Sequence, residues 1–449
     1  MRKDNSLVDE YGNIHYITDE LARGGQGVVY RTRDEDLAIK QPLDSNGIPK
    51  NNNGTSELFR RIRTLPLPKD IQISLPLTTL RDTSGYVLKL LSGLKPFSSF
   101  YLDGIRRAKM DNIGLPSWLN GLDDKKTAQD FAYYAESGST RVRLYALYKC
   151  AAILARLHNA GIIYGDISAN NVFIGETIPY DCFLIDADNM RYELYSSKKG
   201  STVYTPRYGA PEIVQGKDTS RPRTDCWAFA VMAFQSLSLC HPFIGKKVLE
   251  SEDENAWDVT TEDKNASLDI DEQAYAGLLP FIDDENDDSN EYQGGLPRQL
   301  VLTSTICRLF QDTFCVGRTL PYRRPSMALW AIELAKAFDN SIVCPNCGMS
   351  YYYYIPDIVK CPYCQRSRPP FVVAKTRYWK MNLLPKDDGI LETYLPHRLF
   401  NCFSLKNGDD STDYEAYISM KDKIVKPVRG TKGFPSGLKF EFKDSPAKI

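Results

Sequence analysis

Residues 162–174 read IIYGDISANNVFI, and a second short stretch, FLIDADN, follows at 183–189. Each is an apolar run with polar residues at one end. Asp166 is followed five residues later by Asn171, and Asp186 closes the run Phe183-Leu184-Ile185. Two short buried strands that end in carboxylate and amide groups suit a site that holds a divalent cation against phosphates. In such a site Asp166 accepts a proton from an attacking hydroxyl, while Asn171 and Asp186 supply hard oxygen ligands. The same residues also read as polar loop positions beside two core strands. The rest of the chain decides between these.

Upstream, from Tyr16, the pattern is strand, glycine turn, strand, short turn, strand. Leu21-Ala22-Arg23-Gly24-Gly25-Gln26-Gly27-Val28-Val29 lets backbone amides approach phosphate oxygens without interference from Cβ atoms. Such glycine clusters also make plain hairpins. Leu37-Ala38-Ile39-Lys40 is an apolar strand ending in a lysine, and an inward lysine needs an anionic partner. Glu57 is the candidate carboxylate, on a helix in TSELFRRIRTL that Thr55 or Ser56 would cap. Two further strands occupy 71–91, the second being Tyr86 to Leu91. A helix is expected over about 139–159, with Leu144, Leu147, Ala151 and Leu154 on its core face. His158 continues that stripe, as a packed helix-end residue rather than a base.

Composition narrows the class. A chain of 449 residues holds two or three domains, and a net charge of -1 singles out no polyanionic partner. The N-terminal MRKDNSLVDEYG has no apolar signal core, and no apolar run has the length of a membrane span. Eleven cysteines, four of them in two CxxC pairs, fit a reducing compartment with a metal site. The expectation is a cytoplasmic protein with no nucleic-acid or membrane partner.

The order of glycine loop, Ala-Ile-Lys, helix glutamate, Asp-x4-Asn and later Asp resembles the protein kinases. Downstream, Thr205-Pro206-Arg207-Tyr208-Gly209-Ala210-Pro211-Glu212 looks like the end of an activation segment. Asp225-Cys226-Trp227 looks like the start of the central helix, and Arg324-Pro325-Ser326 like the late arginine that pairs with Glu212. The resemblance covers about 14–340 and implies an α+β, bilobal kinase-like fold, with an N-lobe over 14–91 and a C-lobe over 92–340. It implies ATP and Mg²⁺ as ligands, with catalytic roles for Asp166, Lys40 and Glu57. It places Leu21, Ala22, Gly24, Gly25, Gly27, Val29, Ala38, Lys40, Leu88, Lys89, Leu90, Leu91 and Phe173 around ATP. Leu88 takes the gatekeeper position and Phe173 lies under adenine. Asn171, Asp186 and Asp188 are the implied magnesium ligands, and Lys40 is expected to pair with Glu57.

The departures are informative. Ala22 stands for the first loop glycine, Tyr164-Gly165 for the family's His-Arg, Ser168 for a lysine, and Asp186-Ala187-Asp188 for Asp-Phe-Gly. Without the arginine, a phosphorylated activation loop loses its usual cation. Asp188 reads either as an additional metal ligand or as a loop-capping aspartate. Gly165-Asp166 with Asp186-x-Asp188 also resembles small-molecule kinases, and the substitutions keep a pseudokinase scaffold in view. The Ala-Pro-Glu and Asp-x-Trp landmarks favour a serine/threonine protein kinase acting on a polypeptide.

Residues 246–300 read as an expansion whose acidic run, Asp283 to Glu291, is a solvated loop. Ser326 is expected to cap a final helix with Trp330, Leu334 and Phe338 on one face. Over 341–370, Cys344-x-x-Cys347 and Cys361-x-x-Cys364 stand thirteen residues apart, the spacing of a zinc ribbon that closes on one structural Zn²⁺. The ribbon is expected to fold as a separate module, with Tyr351 to Tyr354 forming a two-faced strand. Residues 371–449 read as a small β-rich accessory domain. Kinase-like chains with a C-terminal zinc ribbon resemble a bacterial set linked with phosphatase and von Willebrand-type partner proteins, which the resemblance alone implies.

Overall fold

A computed structural model describes residues 5–446 apart from 25–26, 51–52, 103, 111–113, 177–180, 196–203, 256–268, 354–357, 387, 402 and 406–412. The chain divides into two compact units. One comprises 1–97, 157–204 and 218–225, and the other 98–156, 205–217 and 226–449.

The first unit is built on an antiparallel sheet of β1 (Ser6–Val8), β2 (Ile14–Arg23), β3 (Gly27–Thr32), β4 (Leu37–Pro42), β5 (Pro76–Thr79) and β6 (Tyr86–Lys89). Their order is β1-β2-β3-β4-β6-β5. Because side chains alternate along a strand, its two faces have separate tasks. Ile39, Leu80 and Val87 are buried on one face, packed with Leu7, Ile17 and Leu37. The opposite phase carries Lys40, which lies between Val29 of β3 and Tyr86 of β6 in the register. Helix α1 (Asn53–Arg63) buries Phe59 and Ile62. It begins ahead of Thr55 and Ser56, so neither caps it. Short strands β7 (Leu94–Pro96), β8 (Ile162–Ile163), β9 (Val172–Gly175), β10 (Cys182–Leu184) and β11 (Arg191–Tyr192) complete the unit, in the orders β10-β9-β7 and β11-β8.

The second unit is helical at its centre. On the helix Ser139–Asn159 the expected stripe of Leu144, Leu147, Ala151 and Leu154 is fully buried. Trp227 stacks on Phe243 at 5.4 Å, and Phe314 meets Phe234, Phe243 and Phe281. Arg324 donates to both Glu212 oxygens at 2.7 Å and lies 4.9 Å from the Trp227 ring, the pairing anticipated from sequence. Ser326 caps the helix Met327–Asn340 by accepting from the Leu329 amide. The acidic run is not wholly solvated: Asp283 is half-buried and pairs with Arg298 at 2.9 Å. Asn290 is fully buried and donates to the carbonyls of Phe243 and Pro280.

The cysteine segment packs against neighbouring elements of the second unit. Strand β12 (Ser341–Val343) continues directly from the helix Met327–Asn340 and pairs with β13 (Ser350–Tyr352). The Ser350 hydroxyl accepts from the Arg141 amide at 2.8 Å, and the Ser350 amide donates to Ser139 Oγ at 2.9 Å. The first contact satisfies an N-terminal amide of the helix Ser139–Asn159 that its own residues leave unpaired, and the second ties β13 to the same helix end. Tyr351 and Tyr352 lie on β13, and Tyr351, Tyr352 and Tyr353 are all buried, so both faces of the expected strand are packed; Tyr354 lies outside the described residues. The tail forms two three-stranded sheets. They comprise β14 (Phe371–Lys375), β15 (Lys380–Leu383) and β19 (Lys439–Lys443), and β16 (Ile390–Tyr394), β17 (Glu415–Ser419) and β18 (Ile424–Pro427). Fully buried Asp339 anchors the tail, accepting from Trp379 Nε1 at 2.6 Å and from Arg398 at 2.6 and 2.9 Å.

Candidate active site and cysteine centre

Asp166 is buried at the end of the segment that follows β8. The Asn171 amide group donates to its backbone oxygen at 2.8 Å and to Oδ2 at 3.2 Å, and Asn189 Nδ2 reaches the same Oδ2 at 3.5 Å. These two amide groups orient the carboxylate. Asp225 holds the preceding turn by accepting the amides of Tyr164 and Gly165, each at 2.9 Å. His158 Nε2 lies 3.0 Å from the same Asp225 carboxylate, away from any role as a base. The substitutions before Asp166 have structural reasons. Tyr164 is fully buried and its hydroxyl donates to the Ile185 carbonyl, tying this turn to the Asp186 segment. Gly165 has φ +87, and a Cβ there would lie 3.1 Å from the Asn189 carbonyl oxygen. A side chain at this position would be strained.

Asp186 joins β10 to the turn Ala187–Asn189 with φ 62, a left-handed conformation that aspartate tolerates better than most residues. Its Oδ1 accepts from Lys40 Nζ at 2.5 Å, and Asp188 Oδ2 accepts from the same ammonium at 2.8 Å. Asp188 Oδ1 takes the Tyr86 hydroxyl at 2.7 Å. Burial disfavours the Lys40 ammonium, but the charges of Asp188 and Asp186 outweigh it and hold its pKa above the ordinary lysine value. Burial, reinforced by Asp188 and Asp186, pushes the Tyr86 phenol well above its ordinary value, so it remains a donor.

Glu57 is not a partner of Lys40. It is exposed on α1, while Phe59 and Ile62 define the buried face. At roughly 100° per residue, a position two before Phe59 points away from that face. Lys40 instead takes both of its carboxylates from the Asp186–Asp188 segment.

The expected nucleotide residues spread across the same sheet. Leu21 and Ala22 are exposed on β2, and Ala22 pairs with Val29. The Gly24 amide donates to the Gly27 carbonyl at 2.9 Å, closing the turn; Gly25 lies outside the described residues. A Cβ on Gly27 would sit 3.0 Å from the Gln41 carbonyl oxygen and 3.4 Å from Lys40 Cε. Ala38 is opposite Leu88, and Lys89 is exposed opposite Leu37. The Leu90 amide donates to the Asp36 carbonyl at 2.7 Å, and Leu91 follows half-buried. Phe173 is half-buried on β9 between Phe183 and Pro96. Thr205, in the second unit, accepts from the Tyr208 amide at 3.1 Å.

The fit to a divalent cation rests on the donors left over. Asp186 Oδ2 and Asn171 Oδ1 have no protein partner among the described residues, and both are hard oxygen donors. Asp188 differs, because each of its oxygens already accepts a hydrogen bond. Tyr86 and Asn189 are the residues that reading the sequence did not single out for the site. Asn189 lies inside the FLIDADN stretch, whereas Tyr86 reaches the site only through its register opposite Lys40.

In the second unit, Cys344, Cys347, Cys361 and Cys364 converge, all four Sγ atoms lying within 4.8 Å of one another. Cys344 and Cys364 are 3.6 Å apart, and Cys347 and Cys361 are 3.7 Å apart. A tetrahedral zinc with bonds of about 2.3 Å needs sulfur separations of about 3.8 Å, so the cluster fits that ion. It is the single group of three or more His, Cys, Asp or Glu side chains with such convergence among the described residues.

The chain is similar to known proteins over part of its length. The protein kinase domain family matches residues 130–288. A protein kinase C-like protein of Cochliobolus heterostrophus is 34% identical over 118 residues, covering 26% of this chain and 9% of that protein. Serine/threonine-protein kinase PknD of Chlamydia pneumoniae is 31% identical over 129 residues, 25% of this chain and 14% of that protein. Ribosomal protein S6 kinase alpha-3 of Homo sapiens is 33% identical over 107 residues, 23% and 14% of the two chains. The similarity therefore spans only a small part of these relatives. The family match assigns a protein kinase domain to residues 130–288, within a chain of mixed helices and sheets. The glycine turn and Lys40 lie outside the matched residues. No helix among the described residues is long and apolar enough to cross a membrane.

Proposed function

We propose that the protein is a Mg²⁺- and ATP-dependent protein kinase that phosphorylates serine or threonine in a polypeptide, with its kinase-like domain over 14–340. The observation that carries this reading is the buried Asp166 carboxylate, held by Asn171 and Asn189 in the same compact unit as the Lys40–Asp186 pair. Lys40 binds phosphate oxygens of ATP, and the glycine turn admits them close to backbone amides. Asp166 orients the acceptor hydroxyl and takes its proton as that oxygen bonds to the γ-phosphorus; the bond to the ADP oxygen breaks, and ADP leaves with its electron pair. Asn171 and Asp186 hold Mg²⁺, which neutralises charge on the phosphates when bound. The landmarks Ala210-Pro211-Glu212 and Asp225-Cys226-Trp227 support a polypeptide acceptor over a small molecule. The four cysteines hold one structural Zn²⁺. A cytoplasmic location rests on the composition and cysteine usage read from sequence, and phosphatase or von Willebrand-type partners rest on the family resemblance alone.

The test is phosphate transfer from Mg-ATP, with mass spectrometry of the protein itself and of candidate substrates. Asp166→Asn loses roughly 10²–10⁴-fold in transfer while nucleotide binding persists, because the base is removed and Lys40 and the metal ligands remain. Undiminished transfer by that variant, or none by the parent, defeats the assignment.

A further inference from the structure

Lys40 has its whole anchoring set on one side. Its ammonium meets Asp186 and Asp188, and Asp188 is in turn fixed by the Tyr86 hydroxyl. Tyr86 is itself immobilised. It is 2% exposed, stands directly across the strand pair from Lys40, and meets the Phe59 ring of α1 edge-on at 4.5 Å. Gly85, just before it, has φ +152, and a Cβ there would come within 2.7 Å of the Lys40 carbonyl oxygen. The β4–β6 approach that places Tyr86 beside Lys40 therefore requires glycine at that position.

Helix α1 is held in this arrangement at two points. Phe59 and Ile62 are buried beneath it, and α1 lies against the turn Ala187–Asn189. At its last turn Arg63 donates to Glu10 Oε1 at 2.5 Å, and the Thr79 amide donates to the same oxygen at 3.1 Å. Turning α1 far enough to bring Glu57 to Lys40 would expose Phe59 and Ile62 and break the Glu10 contacts.

We propose that Asp188, oriented by the Tyr86 hydroxyl, anchors Lys40 in the working enzyme in place of a helix carboxylate. Tyr86 is then a positioning residue for the phosphate-binding lysine, and α1 is a fixed packing element with no swinging role. This rests on the protein-kinase reading and deepens it. It also assigns the second aspartate of Asp186-Ala187-Asp188 to the lysine, leaving Asn171 and Asp186 as the magnesium set.

Three full-length variants test it, read by calorimetric binding of ATP without Mg²⁺, by KM for ATP and kcat, and by thermal unfolding. Tyr86→Phe keeps the ring against Phe59 and removes one hydrogen bond to a charged group. Its ATP affinity falls and KM rises about tenfold, with the midpoint of unfolding little changed. Phe59→Leu loosens the packing and leaves the hydroxyl; it lowers the unfolding midpoint and leaves KM within about threefold. Glu57→Gln, at an exposed position, leaves affinity, KM and kcat within about twofold. If Glu57→Gln loses activity as Lys40→Met does, α1 rotates during turnover and the proposal fails. It fails equally if Tyr86→Phe binds ATP as the parent does. A parent that neither binds ATP nor transfers phosphate defeats the kinase reading itself. That outcome is distinct from a working parent with a Glu57-dependent lysine.

Discussion

The Lys40 cluster and the four-cysteine centre are both sets of reactive side chains held in packed surroundings, but they are assembled in opposite ways. The cysteines come from two turns within 21 residues of chain, and they saturate one another's geometry. Lys40, Tyr86, Asp166 and Asp186 come from four separate stretches, and among the described residues Asp186 Oδ2 and Asn171 Oδ1 have no protein partner. A closed centre of the first kind stabilises a fold. An open centre of the second kind keeps acceptors for a ligand and leaves charge to be neutralised when the ligand arrives. The two centres should accordingly respond differently when perturbed.

The largest effect is expected at the cysteines. Cys361→Ser removes one thiolate from a closed site, and structural zinc in small peptides contributes about 10–16 kcal/mol of folding free energy. Because Ser350 caps the helix Ser139–Asn159 and Asp339 ties in the tail, the loss should spread through the second unit. Metal analysis should find about one zinc per parent chain and none in the variant, with a lowered unfolding midpoint. A variant with an unchanged midpoint would restore the independent module expected from sequence. Magnesium, by contrast, should be removable and replaceable without any change in that midpoint beyond simple ligand stabilisation.

Glu212→Ala probes a third kind of polar group, neither open nor metal-bound. It leaves Arg324 buried and without its carboxylate, which costs about 3–5 kcal/mol. Denaturant unfolding measures this. A loss below about 1 kcal/mol would place the pair with ordinary surface bridges.

A smaller effect follows from His241, fully enclosed beside the Arg207 carbonyl and the Tyr275 ring. Burial, acting against the Arg207 hydrogen bond, lowers its pKa from 6.5 to about 4. The unfolded chain therefore binds this proton more readily than the folded one. Stability is full above the unfolded pKa and declines as pH falls from about 6.5 toward 4. Between pH 7 and 5 the loss from this one group is about 2 kcal/mol. Unfolding curves at those two pH values check it, and a substituted protein such as His241→Gln should show a smaller difference.

The smallest effect is expected where the charge partner is missing. Gly165 occupies the place of the family's arginine, and its φ of +87 and the Asn189 carbonyl 3.1 Å from a Cβ there make a side chain strained. Ser201 and Thr202, which lie outside the described residues, should therefore tolerate alanine together with activity kept within a few-fold. A collapse that acidic replacements restore would give the open centre a phosphorylation switch.

Much of this was legible in the chain itself. Asp166, Asn171 and Asp186 are marked by apolar runs that end in polar groups, a local pattern. The two CxxC pairs are marked by spacing alone, and Ser326 by its place before an amphipathic stretch. Glu57 shows where local reading fails. A glutamate early in a helix meets the motif, but its direction depends on which helix face is buried, and Phe59 and Ile62 decide that.

What the sequence determined by itself was therefore the chemistry available, since motifs are short and their residue types are set by the reaction or the metal. Apart from Arg324 with Glu212, only the tertiary structure decided the pairings. Tyr86 meets Asp188 across 102 residues, Ser350 meets Arg141 across 209, and Arg398 meets Asp339 across 59. Each depends on strand register or on the packing of one element against another. Those are properties of the whole folded chain, because a buried hydrogen bond forms only where burial and register bring donor and acceptor within about 3 Å.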